Sequence, residues 1–386
     1  MPKFACGAKH HSMTEKFTRI ITSSEEGSLE RQCGDVLGRI GNEYVPVSVV
    51  YFFAASGTEA YLSCDRILRS MTSAAFPECP LVSLVAQRPM EGRLVAEVVY
   101  LKDVGEVERH GDYLVIRSGE CSELLTGAIG FPLAADTGEQ SRKVFARIKD
   151  VLDTEGFAVS QIVRQWNYIE SITAVNGGVQ NYQLFNDARS AFYAGADWSD
   201  GYPAATGIGC DAGGVMVSVY AVKGFDGVSK PVDNPLQIPA HRYSEKVLAS
   251  GKESVRTTPK FERGRLLGNV MFVSGTAAIR GESSDFSEDP VAQAHGAIDV
   301  VESLVSPENI ASGCEAFDFE MIRVYVRRPE DLKCVKGVFS DHFKDVPTHF
   351  LVADVCRPEL LLELEGVGRI AVSYTHLRAH ETELHL

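Results

Sequence analysis

A carboxylate and a thiol stand in otherwise apolar company between Phe350 and Val367, in the run FLVADVCRPELLLELEGV. Cys356 closes one apolar stretch, Arg357-Pro358-Glu359 interrupts it, and Leu360 to Leu364 resumes it with Glu363 embedded. The pattern predicts strand, tight connection, strand. Strands alternate faces with period two, so Leu362 and Leu364 share one face and Glu363 and Glu365 the other. A turn centred between Glu359 and Leu360 sets Cys356 directly across from Glu363, and opposed side chains in an antiparallel pair are about 4.5–5.5 Å apart at Cβ. Apolar surroundings raise a carboxyl pKa, which makes Glu363 a candidate to hold a proton and deliver it. The same spacing also fits a Glu on the solvent face of an edge hairpin.

The elements that must position this pair come from a chain of 386 residues, enough for two domains or one large one. Net charge is −14, from 38 basic and 52 acidic residues, with no basic block or stripe. That argues against nucleic acid or an anionic membrane surface as the main partner. No apolar run approaches the roughly 20 residues of a membrane helix, and the start, MPKFACGAKHHSMTEKF, lacks the apolar core of a signal peptide. Nine cysteines, an odd number without a CxxC pair, read as reduced thiols of a cytoplasmic protein. The histidines are scattered, with no HExxH, so no metal site is expected.

Along the chain, apolar β-rich runs at 45–54, 81–85, 94–101, 113–116, 159–169, 215–222, 269–279 and 321–327 read as strands. Helical spacing marks 59–71, 140–152, 181–193 and 290–305, the last opened by Asp289 as N-cap with Pro290 behind it. Pro329 opens another helix. Residues 140–222 and 290–367 share the order helix, strand, helix, strand, strand, which suggests an internal duplication. In that alignment Ser218 falls near the position of Glu363, so one copy alone carries the carboxylate. The tail 373–386, SYTHLRAHETELHL, fits no neighbouring pattern and is expected to be non-native.

The stretches SGTAAI (274–279), the helix at 290–305 and LELEGV (362–367) resemble the C-terminal half of the RidA (YjgF) superfamily. Over residues 40–370 the chain resembles the chorismatases, two-domain relatives of RidA. The motifs are NYQLFNDARSAFY (181–193), TGIG (206–209), NPLQIPAHRYS (234–244), FERGRLL (261–267), SGTA (274–277) and ADVCRPELLLELEG (353–366), six in order. The resemblance implies an α+β fold of two fused RidA/YjgF-like, chorismate-mutase-like domains, with mixed sheets and helices packed on one face. The expected division is an N-terminal extension at 1–39, a degenerate domain at 40–225, a connecting loop at 226–260 and a catalytic domain at 261–372.

It also implies an enzyme that splits chorismate into pyruvate and a ring product without metal or organic cofactor. The family's catalytic glutamate matches Glu363. A cysteine seven residues before it, here Cys356, resembles the branch that makes 3-hydroxybenzoate, as opposed to the branch that hydrolyses chorismate to a dihydroxycyclohexadiene acid. The dianionic substrate needs donors, and arginine binds carboxylate in bidentate fashion. By motif the candidates are Arg189, Arg263 and Arg265, with at most one of the last two facing the cleft. Tyr193 is a candidate hydrogen-bond donor. The backbone at Gly209 and at Gly275-Thr276 is free to approach a ligand closely. A monomer or a homotrimer is expected. The alternatives are RidA-type imine deamination and a non-catalytic small-molecule binding module. Deaminases carry an arginine in a PxR motif, where this chain has Pro347-Thr348-His349.

Overall fold

The computed structural model describes residues 13–41, 43–102, 106–244, 257–284 and 288–372. The tail at 373–386, residues 1–12 of the expected extension and 245–256 of the expected connecting loop lie outside these residues.

One chain order occurs three times. The first pass runs β1 (Lys16–Thr22), α1 (Leu29–Arg39), β2 (Val45–Phe52), α2 (Thr58–Ala75), β3 (Leu81–Val85) and β4 (Val95–Leu101). The second opens with a hairpin, β5 (Tyr113–Ser118) and β6 (Cys121–Thr126). It continues through α3 (Thr137–Glu155), β7 (Ile162–Glu170), α4 (Asn181–Tyr193), β8 (Ala204–Cys210) and β9 (Val215–Lys223). The third again opens with a hairpin, β10 (Gly264–Leu267) and β11 (Val270–Thr276). It ends with α5 (Pro290–Val305), β12 (Cys314–Val326), α6 (Leu332–His342), β13 (Thr348–Val352) and β14 (Leu362–Val372). The strand orders are β1-β4-β2-β3, β5-β6-β9-β7-β8 and β10-β11-β14-β12-β13. In each sheet the second and third strands of the repeat pair in parallel (β2 with β3, β7 with β8, β12 with β13), and the last strand lies antiparallel between the first and second. The mixed α+β architecture matches expectation. The duplication is matched by a further copy at its front: β1 and α1 belong to the first sheet, so the described part of 1–39 is no extension to it.

The physical cause of each layer is ordinary. α3 is capped by the Asp136 side chain and closed by Gly156 in the left-handed region, where a side chain would be strained. α5 starts at Asp289, whose carboxylate accepts from the amides of Val291 and Ala292. Its apolar stripe packs on Leu362 and Leu364 from β14. The alternate residues of β14, Glu363 and Glu365, therefore point away from the helices, into the space between sheets.

Phe350 to Val367 is not a hairpin. β12 lies between β13 and β14 and pairs with both. Two apolar runs close in sequence read as neighbours, but a buried strand hydrogen-bonds on both sides and admits a third between them. The cross-strand partner of Glu363 is Tyr325, and that of Glu365 is Arg323. The equivalent pairs are Val50 with Glu97 in the first sheet and Trp166 with Ser218 in the second. Ser218 thus takes the place of Glu365, two residues from the expected Glu363. Arg323 and Glu365, Val50 and Glu97, and Trp166 and Ser218 line one cavity of about 570 Å³ between the three sheets.

Candidate active site

β8 at the edge of the second sheet runs beside β11 of the third, joined where the Ala205 amide donates to Ser274 Oγ at 2.9 Å. A cleft opens there, walled by α4 on one side and by β11, β14 and the 353–361 connection on the other. Tyr182, Asn186, Arg189, Tyr243, Arg263, Gly275, Cys356 and Glu363 line it.

Glu363 is buried, and among the described residues no donor hydrogen-bonds its carboxyl. Burial first, and the charge of Glu365 second, push its pKa up to about 8, while Arg164 and Arg263 pull the other way. A carboxyl in that state carries its proton at neutral pH. Gly275 makes room for it: a Cβ there would collide with Glu363 Oε1. Cys356 lines the same cleft from the connection between β13 and β14. Burial, then Glu363, push its thiol up to about 12, so it is a neutral thiol and no thiolate.

Two buried guanidinium groups face this pair without a carboxylate partner among the described residues. Arg189 donates from Nη2 to Asn186 Oδ1 at 2.6 Å and lies over the Phe185 ring at 5.3 Å; its Nε has no acceptor. Arg263 donates to the carbonyl of Ile238 at 2.8 Å and to the Tyr243 hydroxyl; its Nε is also without an acceptor. Buried cationic donors left unmatched are costly, and an anionic ligand removes that cost.

Behind the cleft, Glu365 is the opposite case. Arg323 Nη1 donates to it at 2.7 Å and the Tyr325 hydroxyl at 2.6 Å, and Arg164 and the Thr206 hydroxyl engage its other oxygen. Burial opposes ionisation, but Arg164 and Arg323 hold Glu365 below the ordinary carboxylate range. Arg323 continues the chain to Glu97, which also meets His349 Nε2. The cleft is small, about 80 Å³ against about 570 Å³ for the inter-sheet cavity. Size alone would favour the larger space. The carboxylates inside the larger one are already paired, whereas the cleft holds the neutral acid and the unmatched arginines.

A model of the family described as chorismatase FkbO/Hyg5-like, N-terminal, matches residues 101–221. A 3-hydroxybenzoate synthase of Streptomyces hygroscopicus is 33% identical over 238 residues, covering 59% of this chain and 69% of that protein. The chain belongs to the chorismatase family. A chorismatase of Streptomyces rapamycinicus is 29% identical over 258 residues, 64% of this chain and 74% of that protein. A crystal structure of a chorismatase superposes with a TM-score of 0.69 at 22% identity, over 93% of this chain and 99% of the other, a likeness of fold.

In this chorismatase fold, five of the nine residues expected at the site meet in the cleft: Glu363, Cys356, Arg189, Arg263 and Gly275. Four do not line it. Arg265 donates from Nη1 to the carbonyls of Asp200, Gly201 and Tyr202 and from Nη2 to Ser229, which pins a loop. Tyr193 points into the core of the second unit, donates to Gln165 at 2.7 Å and packs on Trp198. Thr276 turns its hydroxyl to the carbonyl of Ser274. Gly209 gives its amide to the carbonyl of Asp354 at 2.7 Å, and a Cβ there would strike Asp354. Its bareness serves the connection that carries Cys356. The expectation that Cys356 lies across a ladder from Glu363 fails with the hairpin, yet the connection brings both to the cleft.

Sequence reasoning missed Arg164, Thr206, Arg323, Glu97 and the anionic role of Glu365. Glu365 was visible as a face-mate of Glu363; its partners come from other sheets, beyond any local spacing. His349, in the place of the deaminase arginine, is spent on Glu97. Among the described residues no cluster of three or more His, Cys, Asp or Glu could hold a metal, and no helix is long and apolar enough to cross a membrane.

Proposed function

We propose that this chain converts chorismate to pyruvate and 3-hydroxybenzoate, with Glu363 as general acid and without metal or organic cofactor. The observation that carries the reading is a buried carboxyl kept neutral in the cleft, beside two buried guanidiniums that lack a carboxylate partner among the described residues. Arg189 and Arg263 bind the two substrate carboxylates. Glu363 gives its proton to the vinyl CH₂ carbon of the enol ether, a step that needs a strong and well-placed acid. The ring hydroxyl then attacks the neighbouring ring carbon, whose ether C–O bond breaks to release pyruvate and leave an epoxide. The epoxide opens as its oxygen takes back the hydroxyl proton, and loss of the ring C–H proton aromatises the product. That proton restores Glu363. No water is consumed, since every atom of chorismate appears in the two products.

Cys356 stands against the ring as a neutral thiol and occupies space that water would otherwise take. The name of the Streptomyces hygroscopicus relative supports the aromatising outcome. The eight described cysteines are all unpaired, which fits a reducing cytoplasm. The three repeats in one chain supply among themselves the contacts of a trimer, so we infer a monomer.

The test is to incubate the purified protein with chorismate and separate the products by chromatography. Pyruvate with 3-hydroxybenzoate is expected. Pyruvate with a non-aromatic diol moves the chain to the hydrolytic branch. Ammonia released from an imino acid, with chorismate untouched, overturns the reading.

A further inference from the structure

Three side-chain atoms of the cleft lining are sealed from solvent and have no hydrogen-bond partner among the described residues: Arg189 Nε, Arg263 Nε and Gln180 Oε1. Two are donors on guanidinium groups, and the third is an acceptor on a neutral amide. Chorismate, on the reading above, brings two carboxylates, which only accept, and one ring hydroxyl, its one group able to donate. We propose that Gln180 accepts the hydrogen bond of that hydroxyl and thereby selects substrates that carry it. The assignment rests on the chorismate reading and adds to it the residue that recognises the ring.

Gln180 is buried at the N-cap of α4, yet its side chain does not cap the helix. The backbone beneath it is fixed. Gln180 pairs with Val175 in a short antiparallel ribbon, and Asn181 behind it donates from Nδ2 to the Ser171 carbonyl at 3.0 Å. Three-residue spacing sets Gln180, Gln183, Asn186 and Arg189 along the side of α4 that walls the cleft. The neighbouring polar groups have other work. Asn186 Oδ1 accepts from Arg189, and the Tyr243 hydroxyl accepts from Arg263. Gln183 is tied through Nε2 to Asp187 Oδ1 at 2.8 Å. Glu363 acts as a donor in the chemistry. A buried acceptor left unmatched is costly, and a ligand hydroxyl removes that cost. An analogue without the hydroxyl leaves it in place, which is how a buried polar group rejects such a ligand. The same hydroxyl attacks the ring in the reaction above, so the contact also holds its oxygen in position.

The probes are two saturated ethers of chorismate, in which the vinyl CH₂ has become CH₃ and no proton transfer follows. One keeps the ring hydroxyl, and the other has hydrogen in its place. In calorimetry the wild type should bind the hydroxylated ether at least about tenfold more tightly than the other. Gln180→Met, similar in size and without the acceptor, should bind the two alike, and the deoxy ether at least as tightly as the wild type does. Equal binding of the two ethers by the wild type overturns the proposal and leaves the chorismate reading standing. So does a preference that survives in Gln180→Met, or an equal loss of both ethers in that variant. A wild type that binds neither ether overturns both. A crystal of the wild type with the hydroxylated ether gives the answer without a variant. The hydroxyl oxygen about 3 Å from the Gln180 amide is expected, and a hydroxyl set against Tyr182 or Glu363 contradicts the assignment.

Discussion

Glu363 and Glu365 lie two residues apart on one face of β14, and the fold holds one neutral and the other ionised. Four groups, from Arg164, Thr206, Arg323 and Tyr325, donate to Glu365. No described residue donates to Glu363, whose pKa is pushed up to about 8 by burial and by that neighbouring charge. Two carboxyl groups with environments that drive their pKa values apart are the physical form of an acid and a fixed anion.

Replacing Glu363 by Gln keeps the shape and removes the transferable proton. Turnover of chorismate should fall by about 10²–10⁴-fold, the usual worth of general acid catalysis. Circular dichroism and thermal melting should show an intact fold. Activity retained within tenfold, about 1.4 kcal/mol of barrier, contradicts the role.

The raised pKa of Glu363 sets two pH effects. kcat/KM should fall as pH rises through about 8, where the acid loses its proton. Stability follows the same group, because the folded chain holds this proton more tightly than the unfolded one. Its contribution is full below the ordinary value of 4.5 and is lost as pH rises through about 8. Denaturant midpoints of the wild type should therefore drop, relative to those of Glu363→Gln, across that window. Parallel curves for the two proteins count against a neutral Glu363.

Glu365→Gln strands Arg164 without a counter-charge and leaves Arg323 with Glu97 alone. Breaking a buried ion pair from one side costs about 3–5 kcal/mol, to be read from urea unfolding. Removing that charge also relieves Glu363, so the falling limb of the pH profile should move to lower pH. A loss of stability with an unmoved limb would separate the structural part of this relationship from the electrostatic part.

The arginines should divide by function. Arg189→Ala and Arg263→Ala each remove a charge-assisted bond to substrate, about 1.5–3 kcal/mol, and should raise KM roughly 10–150-fold with melting little changed. Arg265→Ala leaves the carbonyls of residues 200–202 without their donor and should lower the melting temperature with KM near that of the wild type. The reverse pattern contradicts the placement of the substrate carboxylates.

Gly275→Ala drives a methyl group into Glu363 Oε1. Overpacking a buried site costs about 1–3 kcal/mol, and here the displaced atom is the acid itself. The variant should fold and lose most of its turnover, as steady-state kinetics would show; unimpaired kinetics would mean that Glu363 acts from another position.

Much of the fold was legible in local pattern. The helix at 181–193 is found with both expected ends, and the helix beginning at Pro290 follows its Asp289 cap. Those signals are local, carried by apolar spacing and capping chemistry. The sequence pointed to the repeat in two copies, since the copies at 140–222 and 290–367 keep similar lengths; the first, with short helix α1 and no leading hairpin, does not. Strand neighbours were the weak point. The false hairpin at Phe350–Val367 arose because apolar alternation says which face a residue takes and nothing of which strand lies beside it.

The site divides in the same manner. Glu363 and Cys356 were readable because a polar group in an apolar run is a local anomaly. Arg263 and Arg265 share a motif, and only the packed structure tells the ligand-facing one from the loop clamp. Arg164 meets Glu365 and Arg323 meets Glu97 across sequence separations of 201 and 226 residues, which no spacing rule spans.

The central claim, a protonated Glu363 at neutral pH, is open to direct observation. An infrared titration of the carboxyl groups, taken as the difference between the wild type and Glu363→Gln, isolates this one side chain. A protonated carboxyl band that persists through neutral pH and disappears with a midpoint near 8 is the expected result. A side chain already ionised at neutral pH, with its midpoint near the ordinary 4.5, would contradict the account.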